Sequence, residues 1–292
     1  MKIDRTNLLS KDQKKQIEEL QKICNDIENL ESKAFLLNEI NFDKTIPCFF
    51  LGYEDSKLIS FLTIFIPQKQ EAEISAFTHP DYRKKGHFYE LLEETIKVLK
   101  NAEVSKILFL IEPNSNSGKE VLKKFPSAKW NRSEYTLSNK NKAIVPVNQD
   151  LTLKLVSSEN KAICLKLTEE IFNMSEGENE NFIQNAINAP DREAYIAYCG
   201  QEPIGIFNLN YEDNTAFIYG LGISHYFQQK GYGKKMLKYV LNKVFMKADK
   251  AILDVDSDNP SAYNLYVHNG FKVDFQIDYF LYDYRKYYQG DK

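Results

Sequence analysis

Phe227 to Leu237 reads FQQKGYGKKML, with Gly231 and Gly233 flanking Tyr232, lysines on both sides and an apolar periodic run behind. Residues of these types at this spacing can hold an anion. Unpaired amides of a first helical turn point outward, and the helix dipole favours negative charge there. Glycine lets the backbone approach a phosphate with no Cβ in the way. Lys230, Lys234 and Lys235 add cationic neighbours. A plain helix start with two permissive glycines has the same look, so the alternatives must be weighed. A dinucleotide-binding turn needs a third glycine where Met236 stands, and an acidic residue about 20 positions later. A P-loop needs Gly-Lys-Ser/Thr, which does not follow here. Pyrophosphate binding survives; nicotinamide and ATP do not.

The elements that must present this turn occur twice. YRKKGHFYELL, Tyr82 to Leu92, is a second version 145 residues earlier, with Arg83, Gly86 and Phe88 falling on Gln228, Gly231 and Gly233. Behind them, Leu91, Leu92, Thr95, Ile96 and Leu99 fall on Met236, Leu237, Val240, Leu241 and Val244. Both sets have the spacing of a helix with one buried stripe. Strand-like runs precede each turn: CFFLGY, LISFLTIFI and EAEISAF in the first half, AYIAYC, PIGIFNLNY and TAFIYGLGI in the second. A further strand follows each helix, KILFLIE and KAILDVD. An opening helix is expected near Lys11–Ile27 and again near Ser158–Phe172. The polar stretch Ser138 to Asp150, carrying Pro146, reads as a boundary. Duplication of a whole domain follows, with units 1–145 and 146–292.

The spacing QQKGYG resembles the Gln/Arg-x-x-Gly-x-Gly/Ala acetyl-CoA loop of the GNAT acetyltransferase superfamily, following a strand that ends in LGI. Downstream, DNPSAYNLYVHNGF, Asp258 to Phe271, is similar to that family's Asn-x-x-Ala-x-x-Leu-Tyr-x-x-x-Gly-Phe helix beside the coenzyme arm. The motifs stand in the family's order, 28 residues apart from Gly231 to Asn259. The resemblance covers Leu151 onward closely and the first half more loosely. It implies a mixed α/β (α+β) fold of two tandem GNAT-like domains, each a twisted mixed β-sheet flanked by helices. It also implies roles. Amides of Gln229, Lys230, Gly231, Tyr232, Gly233 and Lys234 would cradle the pyrophosphate of acetyl-CoA, the co-substrate, while Gln228 shapes the turn. The backbone of Leu221, Gly222 and Ile223 would bind the pantetheine arm and polarise the thioester carbonyl. Asn259 would hydrogen-bond the arm, and Tyr266 would protonate the departing thiolate. No metal is required.

Several of these residues have plainer readings beside the functional ones. Asn259 before Pro260 is also a good helix N-cap. Gly270 reads as a left-handed helix C-cap. His225 and His268 read as surface residues. A tyrosine near pKa 10 is a chemically sensible acid for a thiolate near pKa 8.5. Asp254 and Asp256 share a strand face and are candidates for a base acting through water. The acidic run Ser175 to Phe182 reads either as a solvated loop or, through Glu176, Glu178 and Glu180, as an attraction for an amine.

The first half keeps Arg83 and Gly86 but puts Phe88 at the second glycine, with Asn114 or Asn116 as the arm contact and Lys123 in the register of Tyr266. It reads as a degenerate copy. The net charge of -3 gives no general pull toward nucleic acid or an anionic membrane. Cys24, Cys48, Cys164 and Cys199 have neither metal nor disulfide spacing and read as reduced thiols. With no signal-type N-terminus and no run long enough to span a bilayer, the chain reads as cytoplasmic. The acceptor reads as a small-molecule amine. A peptide or protein amine, or a non-catalytic acyl-CoA-binding module, are the alternatives, and oligomeric state is not legible.

Overall fold

A computed structural model describes residues 1–142, 150–173, 180, 183, 184, 187 and 189–287. Two compact units emerge: Met1–Glu134 with Gln276–Lys292, and Tyr135–Phe275. The chain's last strand thus contributes Gln276–Tyr282 to the first unit.

In the first unit, β1 (Lys2–Thr6), β2 (Phe49–Glu54), β3 (Lys57–Phe65) and β4 (Glu71–Thr78) run antiparallel in order. β4 then pairs in parallel with β5 (Lys106–Ile111). A parallel neighbour needs a crossover, which α2 (His87–Asn101) supplies. α1 (Lys11–Glu28) starts on a capping box, in which Ser10 and Gln13 satisfy each other's amides. α3 (Asn116–Leu122) follows, and then β6 (Lys129–Asn139), of which Lys129–Glu134 belongs to this unit and Tyr135–Asn139 to the second.

The second unit repeats the plan. β7 (Leu151–Leu155), β8 (Arg192–Cys199), β9 (Glu202–Glu212) and β10 (Thr215–Ile223) are antiparallel, and β10 pairs in parallel with β11 (Lys250–Asp256). α4 (Lys161–Phe172) starts three residues later than its pattern suggests, because Asn160 caps the preceding turn rather than extending the helix. α5 (Tyr232–Val244) is the crossover, α6 (Pro260–His268) follows β11, and β12 (Lys272–Tyr282) and α7 (Tyr284–Tyr287) close the chain.

The helical stripes are buried as their spacing requires. Met236, Leu237, Val240, Leu241 and Val244 pack with Phe207, Leu209, Ala216 and Ile218 on one sheet face. α4 covers the other face through Cys164 and Leu167 against Ala194, Ile196 and Ile206. Each such aliphatic side chain contributes about 1.5–3 kcal/mol of burial. Sheet and crossover helix thereby fix the turn between β10 and α5. The cysteines are free, three of them buried. Among the described residues no helix is long and apolar enough to cross a membrane, and no His/Cys/Asp/Glu group could hold a metal.

Candidate coenzyme site

The turn expected to carry the chemistry leaves β10, makes a short 3-10 turn (His225–Phe227) and enters α5. Gln228 is extended, Gln229 is left-handed (φ 58°), and Gly231 is left-handed (φ 80°) as the N-cap residue. A Cβ at Gly231 would meet nothing within 4 Å, so glycine is there for its conformation and for the open space beside it. No side chain caps this helix. Among the described residues, the amides from Gln229 to Lys234 donate to no protein acceptor. Gln228 donates from Nε2 to the Ile223 carbonyl at 3.1 Å and meets His225 Nδ1 at 3.2 Å, tying the turn to the end of β10.

Beside the turn, two parallel strands separate. β10 and β11 pair only over Thr215–Phe217 and Lys250–Ile252, although β10 runs on to Ile223. The backbone edge of Ile218–Ile223 therefore faces a V-shaped gap. Within that stretch β10 carries a bulge: Tyr219 pairs Asn208, whereas Gly222 pairs Ile206, so three steps on β10 match two on β9. Gly220, at φ 55°, absorbs the extra residue. The bulge leaves Gly220 and Leu221 without a register partner on β9. Gly222 has a packing reason, since a Cβ there would lie 2.4 Å from Ile171 Cγ2 and 2.9 Å from Phe172 Cζ on α4.

Across the gap, Asn259 caps α6, its Oδ1 accepting from the Ala262 amide at 3.1 Å. Its Nδ2 has no partner among the described residues. Tyr266 is 6% exposed in the core beneath α6, against Phe271. Burial pushes its phenol up to about 12, so it stays protonated far above neutrality. Gly270 adopts φ 92° just beyond α6, ending the helix. Asp256 is engaged by the amide of Asp258 at 2.8 Å, and Asp254 accepts from Thr136 Oγ1 at 2.6 Å. His225 and His268 are exposed. Of the acidic run, only Glu180 is described with its side chain, paired to Lys161 at 3.0 Å, while Glu176 and Glu178 lie outside the described residues.

The first unit repeats the turn almost dihedral for dihedral. Lys84 (φ 62°) and Gly86 (φ 91°) match Gln229 and Gly231. Arg83 donates from Nε to the Thr78 carbonyl at 3.1 Å, as Gln228 does to Ile223. Two differences matter. β4 has no bulge: Phe61–Phe77 and Thr63–Ser75 pair in unbroken register. And Ser115, not Asn116, is the N-cap of α3. Counting from the cap, Leu122 rather than Lys123 stands where α6 has Tyr266. Lys123 is a surface residue paired with Glu120. The expected Lys123 register is corrected accordingly, because a serine that accepts the Gly118 amide fixes the helix start one residue earlier.

Residues 14–123 and 163–271 each match the family model described as acetyltransferase (GNAT) family. The chain belongs to the GNAT acetyltransferase family. Its two GNAT copies make it a tandem member, and the family's chemistry is acyl transfer to an amine. Solved GNAT structures share the fold. A GCN5-related N-acetyltransferase from Sphaerobacter thermophilus is 14% identical over 92% of this chain and 91% of that one, with a TM-score of 0.76. A tandem GNAT protein from the clavulanic acid biosynthesis pathway is 12% identical over 97% of this chain and 98% of that one, with a TM-score of 0.67. A GNAT-family acetyltransferase from Colwellia psychrerythraea is 12% identical over 97% of this chain and 100% of that one, with a TM-score of 0.66. No curated protein matches the chain.

Proposed function

We propose that the chain is an acetyl-CoA-dependent N-acetyltransferase whose second unit carries the reaction, with a small-molecule amine as acceptor. The observation that supports it is the run of amides from Gln229 to Lys234, unpaired in the fold and grouped at a helix start beside an open glycine. Such donors suit a diphosphate, since they are fixed before binding and the helix dipole adds to them. Acetyl-CoA, when bound, would supply a thioester-activated acetyl group open to direct attack, so no covalent enzyme intermediate is needed.

Each residue then has a task set by its place. The edge of β10 in the gap would offer main-chain groups to an extended arm, and the Leu221 amide, left out of the β9 register by the bulge, would be the donor to a developing oxyanion. Asn259 keeps Nδ2 for the arm while Oδ1 caps α6. Tyr266 keeps its proton well above neutral pH and gives it to the leaving sulfur as the N–C bond forms and the C–S bond breaks; the proton lost by the attacking nitrogen balances the one the phenol gives up. The protein's slight net acidity makes no case for a strongly basic peptide tail as acceptor, and the assay includes small amines and peptides alike. Acetyl transfer is measured by thiol release against panels of small amines and of peptides. Turnover of small amines by the wild type, slowed in Tyr266→Phe, is the expected result. Coenzyme binding with no turnover of any acceptor would replace the enzyme by a binding module.

A further inference from the structure

The first unit has the same V-shaped gap, and its own chain crosses it. β4 and β5 pair only over Glu71–Ile74 and Lys106–Phe109, then separate. Glu28, the last residue of α1, reaches both sides of the opening. Its Oε1 takes Arg83 Nη1 at 2.5 Å, from the turn after β4. Its Oε2 takes the Ser117 amide at 3.0 Å, from the segment after β5. The Glu28 side chain is 8% exposed. Two more ties hold the same segment, one on each side of the opening. Cys24 Sγ lies 3.4 Å from the Thr78 carbonyl at the end of β4. Beyond β5, the buried Glu112 accepts from the amides of Glu31 and Ser32 at 2.9 and 2.6 Å. In the second unit α4 ends on Phe172 before a left-handed Asn173, as α1 ends on Glu28 before a left-handed Asn29. Phe172 carries no charge. α4 reaches only the β10 side, through Glu170 to Ser224 at 2.6 Å and to the His225 amide at 3.1 Å. Among the described residues, nothing joins the end of α4 to the segment after β11.

We propose that the arm channel of the first unit is filled by its own chain, with the Glu28 carboxylate bridging Arg83 and Ser117 as the plug, so that each chain takes up a single acetyl-CoA. This rests on reading the gap of the second unit as the arm channel. The plug is an ionised one. Burial works to raise the Glu28 carboxyl, but hydrogen bonds from Ser117 and Arg83 outweigh it and hold the group below its usual value. Its contribution to stability is therefore present above the unfolded value of about 4.3 and is lost as pH falls through the lower folded value.

Two experiments test this, one with coenzyme and one without. In calorimetry of the whole chain with acetyl-CoA, Gly231→Val is expected to abolish all binding. An equivalent that survives in that variant would overturn the plug. Independently, Glu28→Ala is expected to speed hydrogen exchange at the Ser117 amide at least about tenfold with no ligand present, since an amide bonded to a charged partner loses it. Glu28→Gln, which keeps the shape, should fall between and guards against misfolding. Unchanged exchange at Ser117 in both variants refutes the plug. If the wild type binds no acetyl-CoA, the coenzyme reading fails, and the exchange result still decides the plug.

Discussion

Two glycines of the second unit separate the cost of backbone strain from the cost of a lost coenzyme site. Gly231 (φ 80°) and Gly200 (φ 63°, in the β8–β9 turn) are both left-handed, and an added Cβ at either would meet nothing within 4 Å. At either position the added Cβ therefore meets the same backbone penalty and no neighbouring atom. That penalty is about 1–2 kcal/mol for a left-handed residue with a Cβ. It corresponds to a fall in melting temperature of about 2–8 °C for a chain of this class. Only Gly231 lies among the unpaired amides. A valine there puts a side chain into the open space beside those amides, and losing two amide–phosphate bonds at about 1.5 kcal/mol or more apiece weakens binding at least about 100-fold. Thermal unfolding and calorimetry with acetyl-CoA on both variants make the comparison. Equal destabilisation with binding lost only in Gly231→Val is the expected outcome. Wild-type affinity in Gly231→Val, or the same loss in Gly200→Val, would refute the reasoning.

Other substitutions probe the remaining parts of the site. Tyr266→Phe breaks no hydrogen bond among the described residues, so it should leave acetyl-CoA affinity intact and slow single-turnover transfer by about 100-fold or more. Because the phenol is raised to about 12, its deprotonated form accumulates only as pH climbs toward that value, and no alkaline loss of rate near pH 9 should trace to it. Asn259→Asp keeps the cap on Ala262 but removes Nδ2; calorimetry should show weaker coenzyme binding at unchanged stability, whereas Asn259→Ala should also lose about 1 kcal/mol of stability in urea unfolding. Gly222→Ala pushes a methyl to 2.4 Å from Ile171 Cγ2, and chemical unfolding should report about 1–3 kcal/mol of overpacking.

Much of the fold was legible because it was written twice. Apolar stripes at helical spacing located α2 and α5, and TAFIYGLGI and KAILDVD coincide with β10 and β11. The turn was legible because left-handed backbone at Gly231 demands glycine. What escaped depends on partners distant in sequence. The bulge in β10 arises from register against β9, and no residue in TAFIYGLGI announces it beyond Gly220. Glu28 reads as one more acid at a helix end until Arg83 and Ser117, 55 and 89 residues away, close on it. The edge strand β1 is short and polar, with no periodicity to mark it. The pairing of Asp278–Tyr282 with β5 leaves no local trace, since strand partners are chosen by the fold.

Residue-resolved hydrogen exchange on the intact protein, with and without acetyl-CoA, probes the proposed diphosphate cradle directly. Slowed exchange is expected at the amides of Gln229 to Lys234 and at Leu221, with the matching turn Lys84 to Phe88 unchanged. Saturating coenzyme that leaves the Gln229–Lys234 amides exchanging at their free rate would contradict the account.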